Sequence, residues 1–371
     1  MKPFRHHALV SGIFFVSLGV ALVQCGRATP STVLSTPLPA QDSRSAPDAG
    51  TALVPPEFLQ VERTQGRSEL LKPRAKSSLR GYSFAQAIWK AIEANELPQR
   101  VSMGGNDSRF QVGSGEAVVP VGLWSHPVCK QSAESLRESL GHEPPAEIVQ
   151  LAQAFADQMA LARSDGRRAA SGLMARLMGC LAYSESLSTA DTKTSEAVAK
   201  EVAPSDYSKP PGVKFYLDSK QVHPESRLNI GLYQFSPASR GNVQACLRNW
   251  NQWVGQDLGS SLPLEAPEAD MIRLLGAADQ EFNAFCGVNK IAQTFFVQVN
   301  TSSPQRTPLE NRGSSGVLKR PEDRCVTPFF NVRAYQHFGP LQNTTRRNLA
   351  EVLRCALDSR GSAVSSGPDE R

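Results

Sequence analysis

The chain has 371 residues, 40 % of them hydrophobic and 20 % charged, with a formal net charge of +5 at pH 7. That is apolar material enough for one or two globular domains, and the small positive excess is spread along the sequence rather than gathered into a patch. No stretch dense in lysine or arginine is interleaved with aromatics, which argues against nucleic acid as a partner.

Residues 1–25 carry Lys2 and Arg5 ahead of an apolar run at 8–23, the order of a secretory signal. The run is shorter than the roughly 20 residues that a membrane span needs. It ends Leu22-Val23-Gln24-Cys25, which resembles the lipobox of bacterial lipoproteins. That resemblance implies a lipid on Cys25, a membrane anchor and a place in the periplasm or at the outer membrane, with secretion as the alternative. Residues 26–80 are rich in Pro, Ser, Thr and Ala and read as a disordered tether.

Order is expected from about residue 81. Phe84, Ile88, Trp89 and Ile92 mark an amphipathic helix, and residues 97–128 read as loops with one short strand pair. The segment 81–143 is thus a helical and loop extension packed on a core at 144–357. Pro144-Pro145 opens a helix whose inner face is Ile148, Leu151, Ala152, Phe155 and Met159. Asp165-Gly166 breaks the chain before the next helix. Residues 188–227 form an insertion, polar at first; then Val213, Phe215 and Leu217 alternate with polar positions as in a half-buried strand, and Asp218-Ser219-Lys220 turns it into a hairpin. Helices follow at 243–254, 267–275, 282–295 and 345–357, the last showing Leu349, Val352 and Leu353. Residues 358–371 read as a disordered tail. The fold class is α+β, mainly α, with a small β insertion.

The chain has seven cysteines, and setting aside Cys25 leaves Cys129, Cys180, Cys246, Cys286, Cys325 and Cys355. An even number in an exported chain reads as three disulfides, with the pairing open. No pair has C-x-x-C spacing, so neither a metal nor a cofactor is expected.

One carboxylate stands out. Ala170, Leu173, Met174, Leu177, Met178 and Leu181 form a single apolar helical stripe, and Glu185 falls on its continuation, four residues after Leu181. A buried carboxyl group near the negative end of a helix dipole resists ionisation. A carboxylic acid kept protonated near neutral pH is what protonating a glycosidic oxygen requires.

Four segments in order carry a family resemblance. Glu185-Ser186 looks like the Glu-Ser signature of the soluble lytic transglycosylases and goose-type lysozymes. Gly231-Leu232-Tyr233-Gln234-Phe235-Ser236-Pro237 is similar to that family's Gly-Leu-Met-Gln-Ile-x-Pro segment. Asn289-Lys290-Ile291 loosely resembles part of the helix that follows. The run from Ala334 through Tyr335 and His337 to Pro340 resembles Ala-Tyr-Asn-Ala-Gly-Pro with one residue extra. The resemblance covers about residues 146–357, with a longer stretch between Ser186 and Gly231 than the family has.

The resemblance implies a lysozyme-like domain that cuts the β-1,4 glycan strands of peptidoglycan, with Glu185 as general acid, Gln234 facing the cleft and Tyr335 orienting the glutamate. Ser186 is a candidate to hydrogen-bond a carboxyl oxygen or a sugar. Tyr233, Trp250 and Trp253 are candidate flat faces for sugar rings. If water attacks, a second carboxylate is needed, with Asp191, Asp206 and Asp218 as candidates and Asp218 preferred at the strand end. Two other readings stand beside this one: a chitosanase- or chitinase-like enzyme, or a lysozyme specific for deacetylated glycan; and a non-catalytic peptidoglycan-binding lipoprotein.

Overall fold

A helix buried on nearly every side runs through the middle of the molecule and ends at Glu185. In the computed structural model, which describes residues 79–95, 124, 126–187, 193–238, 243–330, 338, 341 and 348–358, the elements are as follows. Helices α1 (Leu79–Ala94), α2 (Ala133–Leu140), α3 (Ala146–Ser164) and α4 (Arg167–Ala182) precede a π-helical turn at Tyr183–Leu187. Then come α5 (Lys193–Val202), strands β1 (Phe215–Leu217) and β2 (Leu228–Ile230), and α6 (Gln244–Trp250) with a second π-turn at Asn251–Gly255. Helices α7 (Glu268–Leu275), α8 (Glu281–Asn300) and α9 (Asn348–Leu357) complete the described chain. The signal and lipobox with Cys25, most of the tether, residues 96–123, Asp191, Tyr335, His337 and the tail from 359 lie outside the described residues.

Helix α4 packs against α1, α3 and α9. All six stripe residues from Ala170 to Leu181 are buried, but so are Ala175, Gly179, Cys180 and Ala182 on the other faces. The helix is central rather than amphipathic, so burial at its C-terminal end follows from position as well as periodicity. Its start is set by Gly166, whose φ of +112° suits glycine.

Helix α1 is part of the same core. Phe84, Ile88, Trp89 and Ile92 belong to one hydrophobic cluster that reaches Leu353 and Ala356. The Trp124 indole donates to the Ile92 carbonyl at 2.7 Å and meets Phe295 edge-on. A buried amide network ties α1, α6 and α8 together: Asn289 Nδ2 donates to Asn95 Oδ1 at 2.7 Å, and its Oδ1 accepts from Gln293 at 3.0 Å and Asn249 at 3.2 Å. Buried amides are stable only when paired in this way.

The six cysteines form three disulfides, Cys129–Cys325, Cys180–Cys355 and Cys246–Cys286. The second joins α4 to α9 and the third joins α6 to α8. The first lies beside a parallel bridge between Val128 and Val326.

β1 and β2 pair antiparallel, with Phe215 opposite Ile230 and Tyr216 opposite Asn229. The hairpin is shorter than its alternating pattern implies: Val213 and Phe215 are buried, whereas Leu217 is exposed. Two helices are additions to the sequence-based reading. α2 is capped by Ser132, whose side chain accepts from the Ser135 N–H, and by left-handed Gly141. α5, within the insertion, exposes Glu196, Ala197, Lys200 and Glu201 and buries Ser195, Val198 and Ala199, too short an apolar face to stand out from its polar neighbours.

Candidate active site

The glutamate sits in a widened turn. α4 does not stop at Ala182 but continues as the π-turn Tyr183–Leu187 that carries Glu185, a local geometry that recurs at functional sites. Ser186 follows, almost fully buried. Its Oγ lies 3.1 Å from the Ala182 carbonyl and 3.0 Å from the Leu232 carbonyl, and its one proton serves one of them at a time. This hydroxyl holds the loop Gly231–Gln234 against the turn that bears Glu185.

That loop is built from several independent constraints. The Ile230 and Phe235 backbones exchange hydrogen bonds at 2.9 and 3.1 Å and close a four-residue bend. Gly231 has φ +80°, and a Cβ there would meet Asn283 Nδ2 at 2.1 Å and Gln280 Oε1 at 2.5 Å. Those two side chains, at the start of α8, clamp the loop. Gln280 Oε1 accepts from the Leu232 N–H at 3.0 Å, Asn283 Oδ1 accepts from the Tyr233 N–H at 2.9 Å, and Asn283 Nδ2 donates to the Ile230 carbonyl at 2.8 Å. The Tyr233 hydroxyl donates to the Met178 carbonyl of α4 at 2.9 Å.

Gln234 ends the bend with φ +52°, a left-handed conformation that costs a non-glycine residue about 1 kcal/mol or more. Its Nε2 donates to the Gly231 carbonyl at 2.8 Å. Its Oε1 is buried and has no hydrogen-bond partner, and the same is true of Glu185 Oε1. These two acceptors lie on the two segments joined by Ser186, and a buried polar atom left unpaired calls for an explanation.

The electrostatics set Glu185 apart. Burial of its carboxyl group raises its pKa to about 8, with the charge of Lys214 as the smaller, opposing influence. Lys214 is lowered by burial and partly restored by Glu185. The Tyr233 phenol is raised well above its ordinary value, first by burial and then by Glu185. At neutral pH Glu185 is therefore mostly an uncharged acid, able to give up a proton.

The other expected site residues divide. Ser186, by its burial and its two carbonyl contacts, positions the loop and does not present its hydroxyl to a sugar. Tyr233 is 1 % exposed, its ring packed on Gly287, where a Cβ would lie 2.2 Å from the ring, and edge-on to Phe338. Trp250 is buried edge-on against Phe282 and Phe285, and Trp253 packs on Phe285. Of these three aromatics, Tyr233 and Trp250 are core, and Trp253 is partly buried against it. Asp218 caps its own turn, accepting from the Lys220 N–H at 3.0 Å and Gln221 Nε2 at 3.1 Å. Asp206 is an exposed partner of Arg273 at 2.7 Å. Both carboxylates have partners of their own.

Lys214, Gln280 and Asn283 were not among the expected residues. Lys214 reads in sequence as an ordinary outward-facing strand residue, and Gln280 and Asn283 as polar positions at a helix start. The roles of Gln280 and Asn283 arise from contacts with a loop about fifty residues away in the chain, and that of Lys214 from the neighbouring bend and Glu185. Among the described residues no cluster of three His, Cys, Asp or Glu side chains could hold a metal.

No protein-family model, no curated protein and no solved structure matches this chain. What it defines on its own is a mainly helical, three-disulfide domain with a two-stranded sheet and, in the turn that extends its central helix, a glutamate with one buried oxygen that lacks a hydrogen-bond partner.

Proposed function

We propose that this chain is an exported enzyme that cuts the glycan strands of peptidoglycan by lytic transglycosylation, with Glu185 as the acid. The observation that carries the reading is the Glu185 carboxyl group, whose Oε1 is buried without a hydrogen-bond partner and whose pKa is pushed up to about 8. The order of the segments around Glu185-Ser186 and Gly231–Pro237 supports it, as do the signal-like start and the disulfides, which persist in oxidising compartments.

In this mechanism Glu185 gives its proton to the glycosidic oxygen as the bond from that oxygen to C1 breaks, and the leaving sugar departs as an alcohol. The new carboxylate, its charge favoured by Lys214, then takes the proton of the 6-hydroxyl on the sugar that has lost the bond. That oxygen closes on C1, leaving a 1,6-anhydro end and consuming no water. An inverting hydrolysis instead needs a second carboxylate about 6.5–9.5 Å from the acid. The engagement of Asp206 and Asp218 elsewhere favours the internal route.

The test is digestion of purified sacculi followed by mass spectrometry. Anhydro-ended muropeptides are expected from the wild type, and Glu185→Gln is expected to lose about 10²–10⁴-fold in rate, the range for a missing general acid. Reducing ends would replace transglycosylation with hydrolysis. Cleavage of chitosan or chitin in preference to sacculi would change the polymer. Full activity in Glu185→Gln would remove the assignment of the acid, and sedimentation with sacculi without any product would make the chain a binder.

A further inference from the structure

We infer that the outward face of the β hairpin, centred on Tyr216 and flanked by Lys214 and Asn229, is a binding subsite for a pyranose ring of the glycan. The inference rests on the glycan-cleavage reading above and adds to it the contact that receives a neighbouring sugar unit.

Position is the first argument. The Lys214 carbonyl accepts from the Gly231 N–H at 2.9 Å, so the strand joins directly onto the bend that Ser186 holds beside Glu185. Lys214 immediately precedes β1 and lies two residues before Tyr216, the spacing that puts both on one face of extended chain. Their side chains meet there, with Lys214 Nζ 5.6 Å from the centre of the Tyr216 ring. Asn229 stands opposite Tyr216 on β2. Through Lys214 this face is linked by a backbone hydrogen bond to the bend beside the acid and by charge to Glu185 itself.

Chemistry is the second. A pyranose has a C–H face that packs on an aromatic ring and a rim of hydroxyl and amide groups that takes hydrogen bonds from polar neighbours. A ring with an ammonium and an amide beside it offers both. Tyr216, 48 % exposed, is the most exposed aromatic side chain among the described residues, while Tyr233 and Trp250 are buried in the core. The cation over its ring restrains the side chain before anything binds.

The experiment measures binding and turnover separately. Oligosaccharides of alternating N-acetylglucosamine and N-acetylmuramic acid, prepared from peptide-stripped sacculi, are titrated into the full-length Glu185→Gln protein with and without Tyr216→Ala. Tyr216→Ala is expected to weaken binding about ten-fold, the size of one lost aromatic contact. In the otherwise wild-type enzyme it raises KM by a similar factor with little change in kcat. Tyr216→Trp, which keeps an aromatic face, restores the affinity. Leu258→Ala, at an equally exposed apolar position away from the hairpin (51 %), leaves binding unaltered and excludes a general loss of surface stickiness. The thermal transition is the check on folding, and an exposed side chain should not move it. Unchanged affinity and KM in Tyr216→Ala, while the wild type still cleaves sacculi, would overturn the subsite alone. A wild type that neither binds nor cleaves these glycans would overturn the proposed function with it.

Discussion

The two segments that meet at Glu185 are held in very different ways. On one side, α4 and its π-turn are surrounded by α1, α3 and α9 and tied to α9 by Cys180–Cys355. The adjoining Gly231–Gln234 bend is clamped by Gln280, Asn283, Ser186 and Tyr233 through buried hydrogen bonds. On the other side, the hairpin has three residues per strand and no disulfide, and it exposes Tyr216, Leu217 and Val222. The proposed acid stands on the over-determined part, and the proposed sugar-binding face stands on a hairpin with fewer cross-links. Pre-organisation is concentrated where a small displacement costs most.

If that contrast is real, the bend should be the least tolerant place in the site. Gly231→Ala puts a Cβ 2.1 Å from Asn283 Nδ2 at a φ of +80°. The strain and the displaced clamp together should cost about 3–4 kcal/mol. Chemical denaturation would show the loss, and an unchanged midpoint would mean that the clamp is slack.

The next effect in size is the pH dependence of stability. Glu185 has a folded-state pKa of about 8 against an ordinary 4.5, so the folded state binds its proton more tightly than the unfolded state. Its contribution is complete below about pH 4.5 and is lost as pH rises towards 8. At pH 7 the loss amounts to about 3 kcal/mol at 1.36 kcal/mol per unit. Glu185→Gln removes this term and should be the more stable protein at neutral pH, with the gap closing in acid. His126 acts in the opposite sense: burial lowers it to about 4 from 6.5, so its contribution is present above 6.5 and lost as pH falls through 4. Comparing the two proteins between pH 6.5 and 8 isolates Glu185.

A smaller shift is expected from Lys214→Met. Lys214 lowers the pKa of Glu185 against the effect of burial, so its removal should move the alkaline limb of the activity profile upward while also reducing the rate. A limb that stays in place would mean that the two charges do not interact. Smallest of all is Asp218→Ala. Its carboxylate serves only its own turn, so stability should change by no more than about 0.5 kcal/mol and turnover should persist. A large loss of turnover would restore Asp218 as a second carboxylate.

Much of the framework could be read from residue order. Pro145, Asp165 and Gly166 mark helix limits where the structure has them, and the stripe from Ala170 to Leu181 is buried as expected. The aromatic residues show where such reading stops. Tyr233 lies in a motif that suggested an open ring face, yet the structure closes it, whereas Trp250 is packed in the core as its place on a helix suggests. Tyr216, an unremarkable alternating strand residue in sequence, is the most exposed aromatic among the described residues. Periodicity assigns a side chain to a face of its own element, but only the neighbouring elements decide whether that face is covered.

By itself the sequence determined the helical class, the pairing-ready even set of cysteines and the inward placement of Glu185. Those depend on local spacing, which a linear chain displays directly. The tertiary structure alone decided which cysteines join, that Ser186 clasps Leu232, that Gln280 and Asn283 hold the Gly231–Gln234 bend, and that Lys214 acts on Glu185. These are contacts between residues far apart in the chain. They exist only after chain entropy has been spent on closing the loops between them, and no local pattern records their outcome.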